Sequence, residues 1–149
     1  MDSKGPKTKR SRALGIALTP KAERYLARKS GPPGRAERPG RTRSRKASDD
    51  KLQLLEKLRL RAQYNVGEGQ KRGYYRSAST KSGNTADRLI QLPESRVDKV
   101  VYRCGFVPTI YSARQLVSHG HVEVNGKAVN VLSNRLAEND VVSLTPWEM

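Results

Sequence analysis

The feature that most limits what this chain can fold into is the slope of its charge. Of its 149 residues, those numbered 1 to 46 carry 15 Lys/Arg against 3 Asp/Glu, 47 to 93 carry 9 against 5, and 94 to 149 carry 6 against 6, so the three stretches stand at +12, +4 and 0. Only 35% of the residues are hydrophobic, and Trp147 and Phe106 are the sole Trp and Phe. A core for the whole chain cannot be built from that supply, and part of the chain is expected to be unstructured alone. A net charge of +16 seeks a polyanion, with nucleic acid the commonest and an anionic membrane next. The polyanion-seeking part is N-terminal.

Within residues 1 to 46 no apolar period is sustained, and Gly31, Pro32, Pro33, Gly34, Pro39 and Gly40 interrupt any regular element. The stretch reads as a basic extended arm, without fixed structure to about residue 40 until a partner binds. Arg41, Arg43, Arg45 and Lys46 alternate with Thr42 and Ser44, so an extended backbone would turn cations to one side at a spacing suited to phosphates.

Residues 47 to 93 read as a small helical domain. Ser48, Asp49 and Asp50 make a good helix start, because a hydroxyl accepts an orphan amide and carboxylates favour the positive dipole end. The helix runs to about Gln63, with Leu52, Leu55, Leu58 and Ala62 near one face and Lys51, Arg59 and Arg61 toward others. From Gly67 to Ser82 the pattern is undecided, since Gly67, Gly69 and Gly73 weaken a helix that Tyr74 and Tyr75 could anchor. Asn84 to Leu92 reads as a short helix ended by Pro93.

Residues 94 to 149 are the most legible. Val97, Val100, Val101 and Cys104 recur at helical spacing, and Arg96, Lys99 and Arg103 fall together on another face as a cationic ridge. Thr109 can cap a second helix with Ala113, Leu116 and Val117 inward and Arg114, Gln115, Ser118 and His119 outward, ended by Gly120. Asn125-Gly126 is a strong hairpin signal between Val122–Val124 and Lys127–Val131, and Asp140 to Leu144 supply a further strand.

Catalytic readings find little support. Cys104 is the only cysteine, which excludes an intrachain disulfide and a cysteine-based zinc site, makes a reducing interior the default, and places a buried structural thiol on the apolar helix face. His119 and His121 lack a nearby third ligand, so they read as polar or capping histidines. Gly67-Glu68-Gly69 follows no strand and is no phosphate loop. No catalytic residue, metal, cofactor or small-molecule substrate is expected. A membrane partner is not expected either: no apolar run reaches the roughly 18 residues of a span, and the helix from Asp49 lacks aromatic anchors. The N-terminus has no signal-peptide apolar core, and Asp2 and Glu23 argue against a transit sequence, so it reads as part of the mature protein.

The run Arg96-Val97-Asp98-Lys99-Val100-Val101-Tyr102-Arg103-Cys104-Gly105-Phe106, then Ala113 to His121, then Val124-Asn125-Gly126-Lys127, closely resembles the RNA-binding domain of the small-subunit ribosomal protein S-four family. Pseudouridine synthases, tyrosyl-tRNA synthetases and a heat-shock protein of stalled ribosomes also carry that domain. Upstream, Lys46 to Arg61, Tyr74-Tyr75 and Gly83-Asn84-Thr85 resemble the helical domain that only the ribosomal family has, and the resemblance spans about residues 40 to 144.

The resemblance implies a mainly helical α+β chain: a basic arm (1–46), a helical domain (47–93) and a two-helix plus hairpin RNA-binding domain of alpha-L type (94–149). It implies a structural constituent of the ribosome, cytoplasmic or organellar, that binds the 5′ domain of small-subunit rRNA beside neighbouring small-subunit proteins, helps nucleate assembly and contributes to translational accuracy. The alternative is a factor that binds stalled or immature ribosomes through the same domain. Carried over by position, the RNA-facing residues are Arg96, Lys99, Arg103, Thr109, Arg114, Gln115, Ser118, His119, Asn125 and Lys127, joined upstream by Arg41, Arg43, Arg45, Lys46, Arg59, Arg61 and Arg72. The chain departs from the family pattern in several places. Ile110 replaces a usual Arg, Lys71 an aromatic, and Arg38-Pro39-Gly40-Arg41 a Pro-Gly-Gln-His-Gly segment; the arm lacks the cysteines that hold zinc in some members. Full-length bacterial members continue well past Met149, so a short variant or a fragment is expected.

Overall fold

Side-chain caps mark the starts of three of the described helices. The computed structural model describes residues 5–29, 31–33 and 48–145 and divides into two compact units, Met1–Gln63 and Tyr64–Met149.

In the first unit, α1 (Lys7–Leu14) and α2 (Pro20–Arg28) stand where an extended arm was expected. This corrects the reading for residues 7–28, and the reason is local. The Thr19 hydroxyl accepts the Ala22 amide at 3.2 Å, Pro20 fills a first-turn position that needs no N–H, and Glu23 meets the positive end of α2. Buried Ser11 donates to the Lys7 carbonyl at 2.9 Å and accepts the Leu18 amide at 3.3 Å. With Leu14, Leu18 and Ala22 buried as well, this helix pair needs only a few small or apolar positions, too few to register as a period. Arg41, Arg43, Arg45 and Lys46 lie outside the described residues. The next helix, α3 (Asp49–Tyr64), starts where Ser48 and its acidic neighbours place it, although Leu52 and Leu58 on its leucine stripe are exposed.

The second unit holds α4 (Glu68–Ser79), α5 (Thr85–Glu94), α6 (Val97–Arg103) and α7 (Ile110–Ser118), then β1 (Val122–Val124), β2 (Lys127–Ala128) and β3 (Val142–Leu144). The glycine-rich stretch is helical after all: Gly67 takes the N-cap position of α4, and Tyr74 and Ala78 are its buried anchors. Pro93 does not end α5, which continues to Glu94. A proline in the last turn removes a single helical bond and leaves little helix to distort. Thr109 caps α7 as expected, its hydroxyl accepting the Ser112 amide at 3.1 Å. Asn125 (φ 52°) and Gly126 (φ 76°) both take the left-handed conformation of a type I′ turn.

The sheet is antiparallel in the order β2-β1-β3, with Val124 opposite Lys127 on one side and Val142 on the other. Its core is Val97, Val101, Ala113, Val117 and Val122, ringed by Val107, Leu116, Leu132, Leu136 and Leu144 among others. Residues 134–136 are pinned to the start of α6 by the Val97 amide on the Asn134 carbonyl (2.9 Å) and the Leu136 amide on the Ser95 carbonyl (2.8 Å). The whole is a mainly helical α+β fold. No helix among the described residues is long and apolar enough to cross a membrane.

Candidate RNA interface

The cationic ridge expected on α6 is not formed. The helix opens at Val97, so Arg96 is its extended N-cap residue and does not share the helical period of Lys99 and Arg103. Its guanidinium folds onto Asp98 through two bonds, Nε to Oδ1 at 2.9 Å and Nη2 to Oδ2 at 2.8 Å, while Nη1 donates to the Tyr74 hydroxyl at 3.1 Å. Arg96 is 2% exposed and Asp98 1%, so a fork-to-fork pair is enclosed in the unit, where its loss would strand a buried charge. Lys99, 4% exposed, lies over the rings of Tyr64 (4.7 Å) and Tyr102 (5.1 Å). Burial holds its ammonium below the usual lysine range. These two cations are corrected from surface donors to internal ties.

Arg103 does face outward, yet it is held. Its Nη2 donates to Glu94 Oε1 at 2.8 Å, and the Tyr64 hydroxyl donates to the same oxygen at 2.8 Å. Burial alone would raise the Glu94 carboxyl, but the bonds from Arg103 and Tyr64 and the nearby Lys99 charge overcome it and hold Glu94 below the usual range. Burial and the Glu94 bond push the Tyr64 hydroxyl up to about 12.

On α7, half-buried Arg114 donates from Nη1 to the Asn65 carbonyl. Gln115, Ser118 and His119 are exposed at i, i+3 and i+4, as expected, while half-buried Thr109 is the helix cap. His119 and His121 place their ring centroids 6.2 Å apart, and no group of three or more metal-ligating side chains occurs among the described residues. At the hairpin tip Asn125 and Lys127 are exposed. The Asn125 amide is engaged internally, donating to Asp140 Oδ1 at 2.8 Å and accepting the Val141 amide at 2.9 Å. Cys104, expected to be buried, is exposed, because α6 ends at Arg103 and its apolar face ends with it.

Of the upstream candidates, Arg59 donates from Nε to the Leu14 carbonyl at 2.8 Å and pairs with Glu56, closing the C-terminal end of α1. Arg61 is half-buried. The Arg72 side chain is 75% exposed, with Glu68 at 3.9 Å. One cationic group was missed from sequence: Lys81, Arg88 and Arg135 line a single cleft with Ser77, Gln91, Leu92 and Ser95. Lys81 and Arg88 are seven apart, but Arg135 lies far along the chain, so only the fold brings it near.

Comparison with known proteins adds a family match. Residues 2–94 match the family described as Ribosomal protein S4/S9 N-terminal domain, and residues 95–142 match the S4 domain. Curated relatives, each named small ribosomal subunit protein uS4, include those of Chlorobium phaeovibrioides (46% identical, over 96% of this chain and 69% of the relative), Micrococcus luteus (49%; 89% and 62%) and Streptomyces avermitilis (52%; 92% and 65%). The chain thus spans about two thirds of the length of these relatives. With the two family domains matched over adjacent residues 2–94 and 95–142 and identities near one half, the chain belongs to the uS4 family of small-subunit ribosomal proteins.

Proposed function

We propose that the chain is a structural constituent of the small ribosomal subunit, binding its rRNA among neighbouring small-subunit proteins, and more finely that it is a primary binder of the 5′ domain that helps nucleate assembly and contributes to translational accuracy. The observation that carries this is the pairing of the family's N-terminal domain with an S4 domain in one chain. The S4 domain also has the physical character that shape reading needs. Folded RNA presents phosphates and 2′-hydroxyls at fixed positions, and it is read by donors that are themselves fixed. Arg103 is held by Glu94, and the hairpin tip is locked by the Asn125–Asp140 bond. The donor set offered to RNA is Arg103, Thr109, Arg114, Gln115, Ser118, His119, Asn125 and Lys127, with Arg61, Arg72 and the basic stretch Arg41 to Lys46 as the grip. This reading contains no catalytic step, cofactor or small-molecule substrate.

Quantifying the chain in salt-washed mature subunits tests the assignment. One copy per subunit is expected, together with binding of a 5′-domain transcript by the free protein. Recovery only on stalled or immature particles would favour the transient factor instead.

A further inference from the structure

We propose that the cleft lined by Lys81, Arg88 and Arg135 is a phosphate-binding subsite. It has a volume of about 450 Å³ and is walled by Ser77 of α4, by Arg88, Gln91 and Leu92 of α5, and by Ser95. Three cations enter its wall, and no Asp or Glu is among the described residues that line it. Side chains of one sign crowd together at a Coulomb cost unless an anion sits among them.

Two of the three cations are placed by the fold. The Arg88 guanidinium lies against Gly83, where an added Cβ would come within 3.4 Å of Nη2, and φ of +112° at Gly83 suits glycine in any case. Arg88 Nη1 is buried with no hydrogen-bond partner. Arg135 lies over the Tyr74 ring at 5.9 Å, and its backbone bridges Arg96. A planar guanidinium fork suits the oxygens of a phosphate, while Lys81 adds a mobile point charge. Ser77 and Gln91 supply neutral donors for what is attached to that phosphate. The shared chemistry is a phosphate group, borne either by an RNA backbone or by a small anion. The RNA source rests on the proposed function; the subsite does not.

The test uses the full chain and the variants K81Q, R88Q and R135Q, with circular dichroism to confirm folding. Lys81 and Arg135 are exposed, so their variants carry the test even where R88Q does not fold. In the first arm each protein binds a 5′-domain transcript whose phosphates have been sparsely ethylated. Each substitution is expected to weaken binding about tenfold and to lower the salt slope by about one. One phosphate whose ethylation blocks the native protein should become silent in all three variants. In the second arm, inorganic phosphate should raise the melting temperature of the native protein more than that of any variant. A positive first arm identifies the RNA backbone as the source, and a positive second arm alone identifies a small anion. If the native protein does not bind the transcript, the RNA reading fails while the second arm still decides the subsite. Unchanged interference patterns together with equal phosphate shifts overturn the proposal.

Discussion

Residues 1 to 46 and residues 94 to 149 differ sharply in net charge. The first stretch carries a net +12 and the second 0, yet the second fixes five of its cations through specific contacts. Arg96 is locked to Asp98, Lys99 lies between two tyrosine rings, Arg103 is tied to Glu94, Arg114 to a backbone carbonyl, and Arg135 lies over Tyr74. Net charge therefore says little about how a cation is employed. A dense net charge adds attraction to any phosphate backbone, whereas a charge already fixed by the fold can distinguish one RNA surface from another.

The largest effect should come from removing the dense region. Deleting residues 1 to 46 is expected to weaken binding to the 5′ domain proposed as its target and to unrelated folded RNA together, by about a hundredfold or more at moderate salt, and to flatten the salt dependence. Titrations of both RNAs at several salt concentrations check this; an unrelated RNA that binds as before would break the contrast.

Next comes the cost of unlocking a fixed cation. Asp98→Asn strands Arg96 in the interior and should destabilise the protein by about 3 to 5 kcal/mol in urea unfolding, whereas Glu23→Gln, an exposed change in the first unit, should cost about 0.5 kcal/mol at most. Equal losses would show that the two regions hold charge alike.

Gly126→Val sharpens the comparison at the hairpin. A β-branched residue at φ 76° is strained by about 1 to 2 kcal/mol, so RNA affinity should fall while helix content by circular dichroism is kept. Unchanged affinity would place the turn away from RNA.

The smallest effect is pH-dependent. Because Glu94 titrates below its ordinary value in the folded state, its contribution is present above the unfolded carboxylate range and is lost as pH falls through the folded value. The stability gap between the native protein and Glu94→Gln should therefore shrink on acidification from pH 7 to pH 3, as followed by thermal melts. A gap that widens would mean the Arg103 and Tyr64 bonds do not favour the ionised form.

Much of the second unit was legible because its signals are local. Thr109, Asn125-Gly126 and the valines of α6 and β1 each declare an element within a few residues. What was not legible depended on side chains meeting from distant positions. Arg96 looked like a surface cation because helical periodicity was extended one residue too far, past the N-cap. Nothing near it in sequence announces Tyr74 as its partner. Arg59 likewise gave no hint in sequence that its Nε would meet the Leu14 carbonyl. The helices α1 and α2 were missed for the opposite reason: their apolar burial rests on Leu14, Leu18 and Ala22, too sparse for a period, while Pro and Gly downstream suggested an extended chain throughout. The cleft of Lys81, Arg88 and Arg135 joins residues from three segments, which no linear pattern displays.

The bonds that fasten residues 134–136 to Ser95 and Val97 have a kinetic consequence. They close one long loop containing α6, α7 and the hairpin, a closure whose entropy cost grows only slowly with loop length. The buried Arg96–Asp98 pair sits at the mouth of the loop. The domain should therefore open and close as one cooperative segment, with the Val97 and Leu136 amides exchanging with solvent only when the whole segment unfolds. A surface assembled this way is either complete or absent, which suits a protein that must meet a folded RNA with all its donors already in place.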